Sequence, residues 1–119
     1  MKKILYIEDH KDTADAVKII LACAGFHVTV AASGKAGISK ALQGDFDLLL
    51  LDIMLPDMSG WDIFQTLQKK LPHVRYIFLS ALPITEERRR ELRRAGVFDY
   101  ITKPFKKDDL VNRVRKVLS

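Results

Sequence analysis

Four consecutive leucines, Leu48 to Leu51, are closed by an acid, Asp52. A strand alternates its side chains between two faces, so a strand of this composition is apolar on both. Such a strand belongs in the middle of a parallel sheet covered by helices on both sides. Asp52 then stands at its C-terminal tip, the edge where open α/β sheets bind ligands and place their chemistry. Taken alone, one aspartate there fits a helix cap or a turn. Other apolar runs, however, also end on reactive groups: ILYI on Glu8-Asp9, YIFL on Ser80, and DYIT on Lys103-Pro104.

Short apolar runs alternate with amphipathic stretches along the whole chain, the pattern of repeated βα units. The pattern predicts strands over 3–8, 27–31, 46–52, 75–80 and 98–102, and helices over 11–24, 33–43, 60–70, 84–95 and 106–118. Gly25 and Gly96 sit where helices end, Ser33 and Thr85 where they begin, and Pro72 follows the third helix. A helix separates each strand from the next, which implies a parallel sheet with helices on both faces. At 119 residues the chain is expected to form a single domain, 1–119, with a core of its own. It ends with its last helix, and nothing in it resembles an effector domain.

The lone cysteine, Cys23, excludes an internal disulfide and suits a reducing compartment, so a cytoplasmic protein is expected. Its apolar surroundings (IILACAGF) predict a buried, inert thiol. No signal peptide and no run of membrane-spanning length is evident, so no membrane partner is expected. The net charge of +5 permits an acidic partner without identifying one.

Glu8, Asp9 and Asp52 are expected to converge at one sheet edge. Close carboxylates raise one another's pKa unless a cation neutralises them. Oxygen donors with no neighbouring Cys or His suit a hard ion, Mg²⁺ or Mn²⁺, and argue against zinc. A carboxylate is also a nucleophile able to form an aspartyl phosphate. Phosphoryl transfer needs mainly positioning and charge neutralisation. The Lys103 ammonium, the Ser80 hydroxyl and a metal would supply both.

These motifs are the acidic pair Glu8-Asp9, the block Asp52-x-x-Leu-Pro56-x-Met-x-Gly60, Ser80-Ala81, and Tyr100-x-x-Lys103-Pro104-Phe105. In order and at strand ends, they resemble the response-regulator receiver domains of two-component signalling, over the whole chain. The resemblance implies a flavodoxin-like (βα)5 three-layer sandwich, its doubly wound parallel sheet in the order 2-1-3-4-5. It implies Asp52 as phosphoacceptor, Asp9 as a direct Mg²⁺ ligand, Glu8 as a ligand through water, and the backbone carbonyl of Met54 as a further ligand. By the same resemblance Lys103 pairs with a phosphoryl oxygen and precedes a cis peptide bond to Pro104. Ser80 hydrogen-bonds the phosphoryl group after transfer, and Tyr100 swings from exposed to buried behind it. The partners implied are a sensor histidine kinase or phosphotransfer protein upstream, and a downstream effector or a second copy of the chain. The implied oligomeric state is a monomer or a phosphorylation-dependent dimer, and the implied role is a switch rather than a turnover enzyme.

Departures from the common family pattern are mild. Glu8 stands where Asp is also common, Ser80 where Thr is usual, Leu55 where Met is frequent, and Ser59 where Asp is frequent. Met54 and Leu82 occupy positions that in the family tune water access to the phosphate, and their apolar side chains imply moderate to slow dephosphorylation. Three other readings compete. An aspartyl-phosphate phosphatase usually carries a second Asp two residues after the nucleophile, where this chain has Met54. A flavin module needs a phosphate-cradling loop where this chain has Glu8-Asp9-His10-Lys11-Asp12. A phosphorylation-independent interaction domain on the same fold leaves the acid, hydroxyl and lysine set unused.

The run Arg88-Arg89-Arg90-Glu91-Leu92-Arg93-Arg94 reads first as a solvated helix, with Glu86 and Glu87 paired to Arg90 and Arg94. Its sharper reading is an interaction surface. In receiver domains the fourth helix, fifth strand and fifth helix form the output face, and Lys106, Lys107, Arg113, Arg115 and Lys116 extend the basic patch along it. No recognition motif accompanies this charge, so direct nucleic-acid binding is not expected. Trp61 is expected to pack on a helix face, His10 and His27 to be surface or strand residues, and His73 to lie in a loop beside Pro72.

Overall fold

The computed structural model describes residues 1–119, and five strands alternate with five helices. They are β1 Lys3–Ile7, α1 Lys11–Cys23, β2 His27–Ala31, α2 Gly34–Gln43, β3 Leu48–Leu51, α3 Gly60–Lys70, β4 Arg75–Ser80, α4 Glu86–Ala95, β5 Asp99–Thr102 and α5 Lys107–Leu118. All neighbouring strands are parallel, in the order β2-β1-β3-β4-β5. This is the expected flavodoxin-like sheet, and the four leucines form its central strand, with no exposed surface.

Strand periodicity sorts the core into two layers. Ile4, Tyr6, Leu48, Leu50, Ile77, Leu79 and Ile101 face one side, where they meet α1 and α5 through Ala14, Val17, Leu21, Leu110 and Val114. Leu5, Ile7, Leu49, Leu51, Tyr76, Phe78 and Tyr100 face the other, against α2, α3 and α4 through Ala41, Ile63, Phe64, Leu67 and Leu92. Of the α4 residues only Leu92 is buried, so this helix is the most weakly anchored of the five.

The helix boundaries follow local chemistry. Ser33, Ser59 and Thr85 accept the backbone N–H of Ala36, Asp62 and Arg88, respectively. Gly25 and Gly96 take positive φ of 98° and 111° at helix ends, as expected for glycine past a helix terminus. The N-cap of α1 is His10, whose Nδ1 accepts from Thr13 N, so this histidine has a structural task beyond lying at the surface.

Two expectations are corrected. Cys23 is exposed, not core. The buried stripe of α1 is Ala14, Val17 and Leu21, and Cys23 lies roughly 200° around the helix from Leu21. The arginine run also pairs differently from the expectation that Glu86 and Glu87 meet Arg90 and Arg94. Arg88 pairs with Glu91 at 2.9 Å and Arg89 with Glu86 at 3.8 Å. Arg89 is also drawn inward to Asp99 at 3.4 Å and to the carbonyl of Tyr100 at 2.9 Å. Trp61 packs on Phe64 and Phe78 as expected, with the Arg88 guanidinium 5.3 Å from its ring centroid.

Candidate functional site

Backbone hydrogen bonds continue past the strands and fix the residues at their tips. Glu8 N donates to Ala31 O at 3.0 Å, Asp52 N to Ile7 O at 3.1 Å and Lys103 N to Ser80 O at 2.8 Å. The carboxylates of Glu8, Asp9 and Asp52 consequently meet, with oxygens within 4.8 Å of one another. Glu8 and Asp52 are buried, whereas Asp9 is exposed at the mouth. Lys103 reaches the same point from β5, paired with Glu8 and 3.5 Å from Asp52 Oδ2. The peptide bond between Lys103 and Pro104 is cis, as the resemblance implied.

Glu8 is held from three directions: by Lys103, by Tyr6 Oη at 2.9 Å and by His10 N at 3.3 Å. Burial alone would raise its pKa; the hydrogen bonds with Lys103, Asp52 and Tyr6 outweigh burial and lower it. Asp52 goes the other way. Burial and the hydrogen-bonded, negatively charged Glu8 push it up to about 6, against the attraction of Lys103 and a hydrogen bond from Met54 N. One ammonium therefore serves two buried acids, and the shortfall falls on Asp52. Oxygen-only donors, mixed burial and an uncompensated negative charge fit a hard divalent cation. Tyr6 was not singled out from the sequence. Its signal was available, since Tyr6 and Glu8 are two residues apart and share a strand face. Burial raises the Tyr6 phenol, and Glu8 raises it further, so it stays a hydrogen-bond donor.

Ser80 O accepts from Lys103 N, but the side chains of Ser80 and Tyr100 make no hydrogen bond to the Glu8, Asp9, Asp52 and Lys103 side chains. Ser80 is buried, and its Oγ accepts from Leu82 N at 3.2 Å. Tyr100 is buried, contrary to the exposed starting position expected for it. Its hydroxyl donates to Leu82 O at 2.6 Å, its ring lies 6.4 Å from that of Phe78, and Arg89 covers its outer side at 6.0 Å. A hydrogen-bonded hydroxyl and an apolar slot for the ring favour the inward rotamer.

A family model described as the response regulator receiver domain matches residues 4–115. The chain belongs to this family. This receiver domain is 41% identical over 116 residues to the transcriptional regulatory protein CusR of Escherichia coli K12, covering 98% of the chain and 51% of CusR. It is 39% identical over 113 residues to the transcriptional regulatory protein DltR of Streptococcus agalactiae, covering 95% of the chain and 50% of DltR. The chain thus spans about half the length of the curated relatives it matches. Among solved structures, a receiver domain protein from Methanospirillum hungatei superposes with a TM-score of 0.90 at 31% identity, covering 99% of this chain and 94% of that one. The response regulator TrrA of Thermotoga maritima, in complex with Mg²⁺ and beryllium fluoride, gives 0.87 at 30% identity, covering 99% and 100%. No helix of the receiver domain is long and apolar enough to cross a membrane.

Proposed function

We propose that residues 1–119 act as one phosphoacceptor unit, in which Asp52 takes a phosphoryl group from a phosphohistidine of a sensor kinase or phosphotransfer protein. The observation that carries this reading is the meeting of Glu8, Asp9, Asp52 and Lys103 at one sheet edge. An Asp52 oxygen attacks phosphorus in line with the leaving imidazole, the P–N bond breaks and an aspartyl phosphate forms. Lys103 neutralises charge on the transferred group. Glu8, Asp9, Asp52 and the Met54 carbonyl would hold Mg²⁺ or Mn²⁺, which supplies positive charge to the phosphoryl oxygens when bound. Hydrolysis of the acyl phosphate resets the unit, so it works as a switch rather than a turnover enzyme.

The output proceeds through the β4–α4 loop. After transfer, Ser80 gives up Leu82 N and donates to a phosphoryl oxygen, moving the loop that also holds Tyr100. α4 has little buried surface to resist the shift. The face of α4, β5 and α5 then engages a downstream effector or a second copy.

Intact-mass spectrometry after incubation with acetyl phosphate and Mg²⁺ tests this. One phosphoryl adduct is expected, lost with Asp52→Asn or with a chelator. No adduct in the unaltered chain would refute the phosphoacceptor role.

The raised Asp52 pKa gives a second expectation. Without a cation, the protonated acid contributes stability that is fully present below its ordinary value of 3.8 and lost as pH rises through about 6. A divalent cation competes with that proton and offsets the loss. Mg²⁺ should therefore stabilise the fold little at about pH 5 and progressively more toward about pH 7.5, reaching about 2.7 kcal/mol at 100-fold excess over its Kd. Thermal melts with Mg²⁺ or chelator across that range check the sign; equal stabilisation at both ends would refute it.

A further inference from the structure

The loop between β3 and α3 carries both Asp52 and the Met54 carbonyl. It is closed on itself by a bridge between Met54 and Ser59 and by Gly60 N donating to Ile53 O at 2.8 Å. Those ties shape the loop, and Asp52 N bonded to Ile7 O fixes its near end on the sheet. A longer-range tie holds its far end. Asp57, at the loop's far end, accepts Gly34 N through Oδ1 at 2.9 Å and Lys35 N through Oδ2 at 2.8 Å, across 23 and 22 residues. Ser33 takes Ala36 N. The first three free N–H groups of α2 are therefore all satisfied, two by the loop and one by the helix's own cap. The hydrogen bonds from Lys35 and Gly34 lower the Asp57 pKa, as the positive end of the helix dipole also favours. Beside this contact Met58 lies where a Gly34 Cβ would be, with Cγ 2.3 Å from that position, so the loop seats directly on the helix backbone.

We infer that Asp57 is a positioning residue for divalent-cation binding: it clamps the β3–α3 loop to α2, so that Met54 and Asp52 present their oxygens to one ion. Asp57 acts through the loop and does not touch the ion. The inference rests on the cation site proposed above, and the test separates the two. Mn²⁺ is titrated into the unaltered chain and into Asp57→Ala, Asp57→Asn and Ser33→Ala, read by paramagnetic quenching of Trp61, the only tryptophan. Melting temperatures without metal are measured for all four.

Asp57→Ala should raise the Mn²⁺ midpoint at least 5-fold, and Asp57→Asn, which keeps one acceptor, should fall between it and the unaltered chain. Ser33→Ala removes a cap from the same helix without freeing the loop. It should lower the melting temperature and leave the midpoint unchanged. An unchanged midpoint in Asp57→Ala, or an equal shift in Ser33→Ala, would overturn the inference and reduce Asp57 to a helix cap. If Asp57→Ala does not fold, Asp57→Asn against Ser33→Ala decides on the same criterion. Absence of saturable quenching in the unaltered chain would overturn the cation site itself, and this role with it.

Discussion

Replacing Gly60 by alanine is expected to lower stability by about 2–3 kcal/mol and to slow formation of the Asp52 adduct at least 10-fold, as for overpacking against atoms that cannot yield. An added Cβ would lie 2.3 Å from Asp52 O and 3.0 Å from both Asp52 C and Ile53 Cα. All three are backbone, so no side chain can rotate away. α3 cannot retreat freely either, because Ile63, Phe64 and Leu67 fix it in the core. The strain then falls on Asp52, the proposed phosphoacceptor. Helix propensity alone predicts the opposite sign, since alanine is favoured over glycine within a helix by about 1 kcal/mol. Chemical denaturation, with adduct formation followed by mass, distinguishes the two. A more stable variant with normal adduct formation would show that Gly60 is there for the turn and not for Asp52.

The layers of this fold were legible because each rests on a local pattern. LLLL declared a strand buried on both faces, and the acids, hydroxyl and lysine that end the runs declared the edge at which they would meet. Boundaries shifted by one or two residues where tip residues such as Glu8 and Asp52 continue the backbone ladder without belonging to a strand. What stayed hidden was where individual side chains go across long sequence separations. Asp57 carries no signal in the sequence until α2 is placed beside its loop. Arg89 reads as one more solvated arginine until β5 brings Asp99 and the Tyr100 carbonyl under it. Cys23 misled because apolar neighbours in sequence are not neighbours around a helix; its own side is the exposed one. The inward Tyr100 rests on the Leu82 O acceptor, the slot beside Phe78 and the Arg89 cover, which periodicity does not reveal.

Lys103→Met is expected to cost about 3 kcal/mol at neutral pH without a divalent cation, the scale of removing one partner from a buried ion pair. The methionine keeps much of the side-chain volume, so the loss is electrostatic in origin. In the unaltered chain Lys103 is the only ammonium or guanidinium paired with Glu8 and Asp52. It helps lower the Glu8 pKa, and that contribution is fully present above the ordinary value of 4.5 and lost as pH falls from there through the lowered folded value. Without the ammonium, burial and mutual repulsion are opposed only by the hydrogen bonds from Tyr6 and His10 N to Glu8 and from Met54 N to Asp52, and the pKa values of both acids rise. A raised carboxylate contributes stability that is present below its ordinary value and lost as pH rises. The two stability curves should therefore converge toward about pH 4 and separate toward about pH 7, a divergence that chemical denaturation at several pH values measures. Asp52→Asn in the Lys103→Met background should recover part of the loss, because one carboxyl no longer competes for neutralisation. Saturating Mg²⁺ should do the same by supplying the missing charge. A deficit constant across pH, indifferent to both the Asp52→Asn change and Mg²⁺, would mean that Lys103 contributes only its packed alkyl stem. Partial recovery by either would instead identify charge balance at this sheet edge as the quantity the site is built to control.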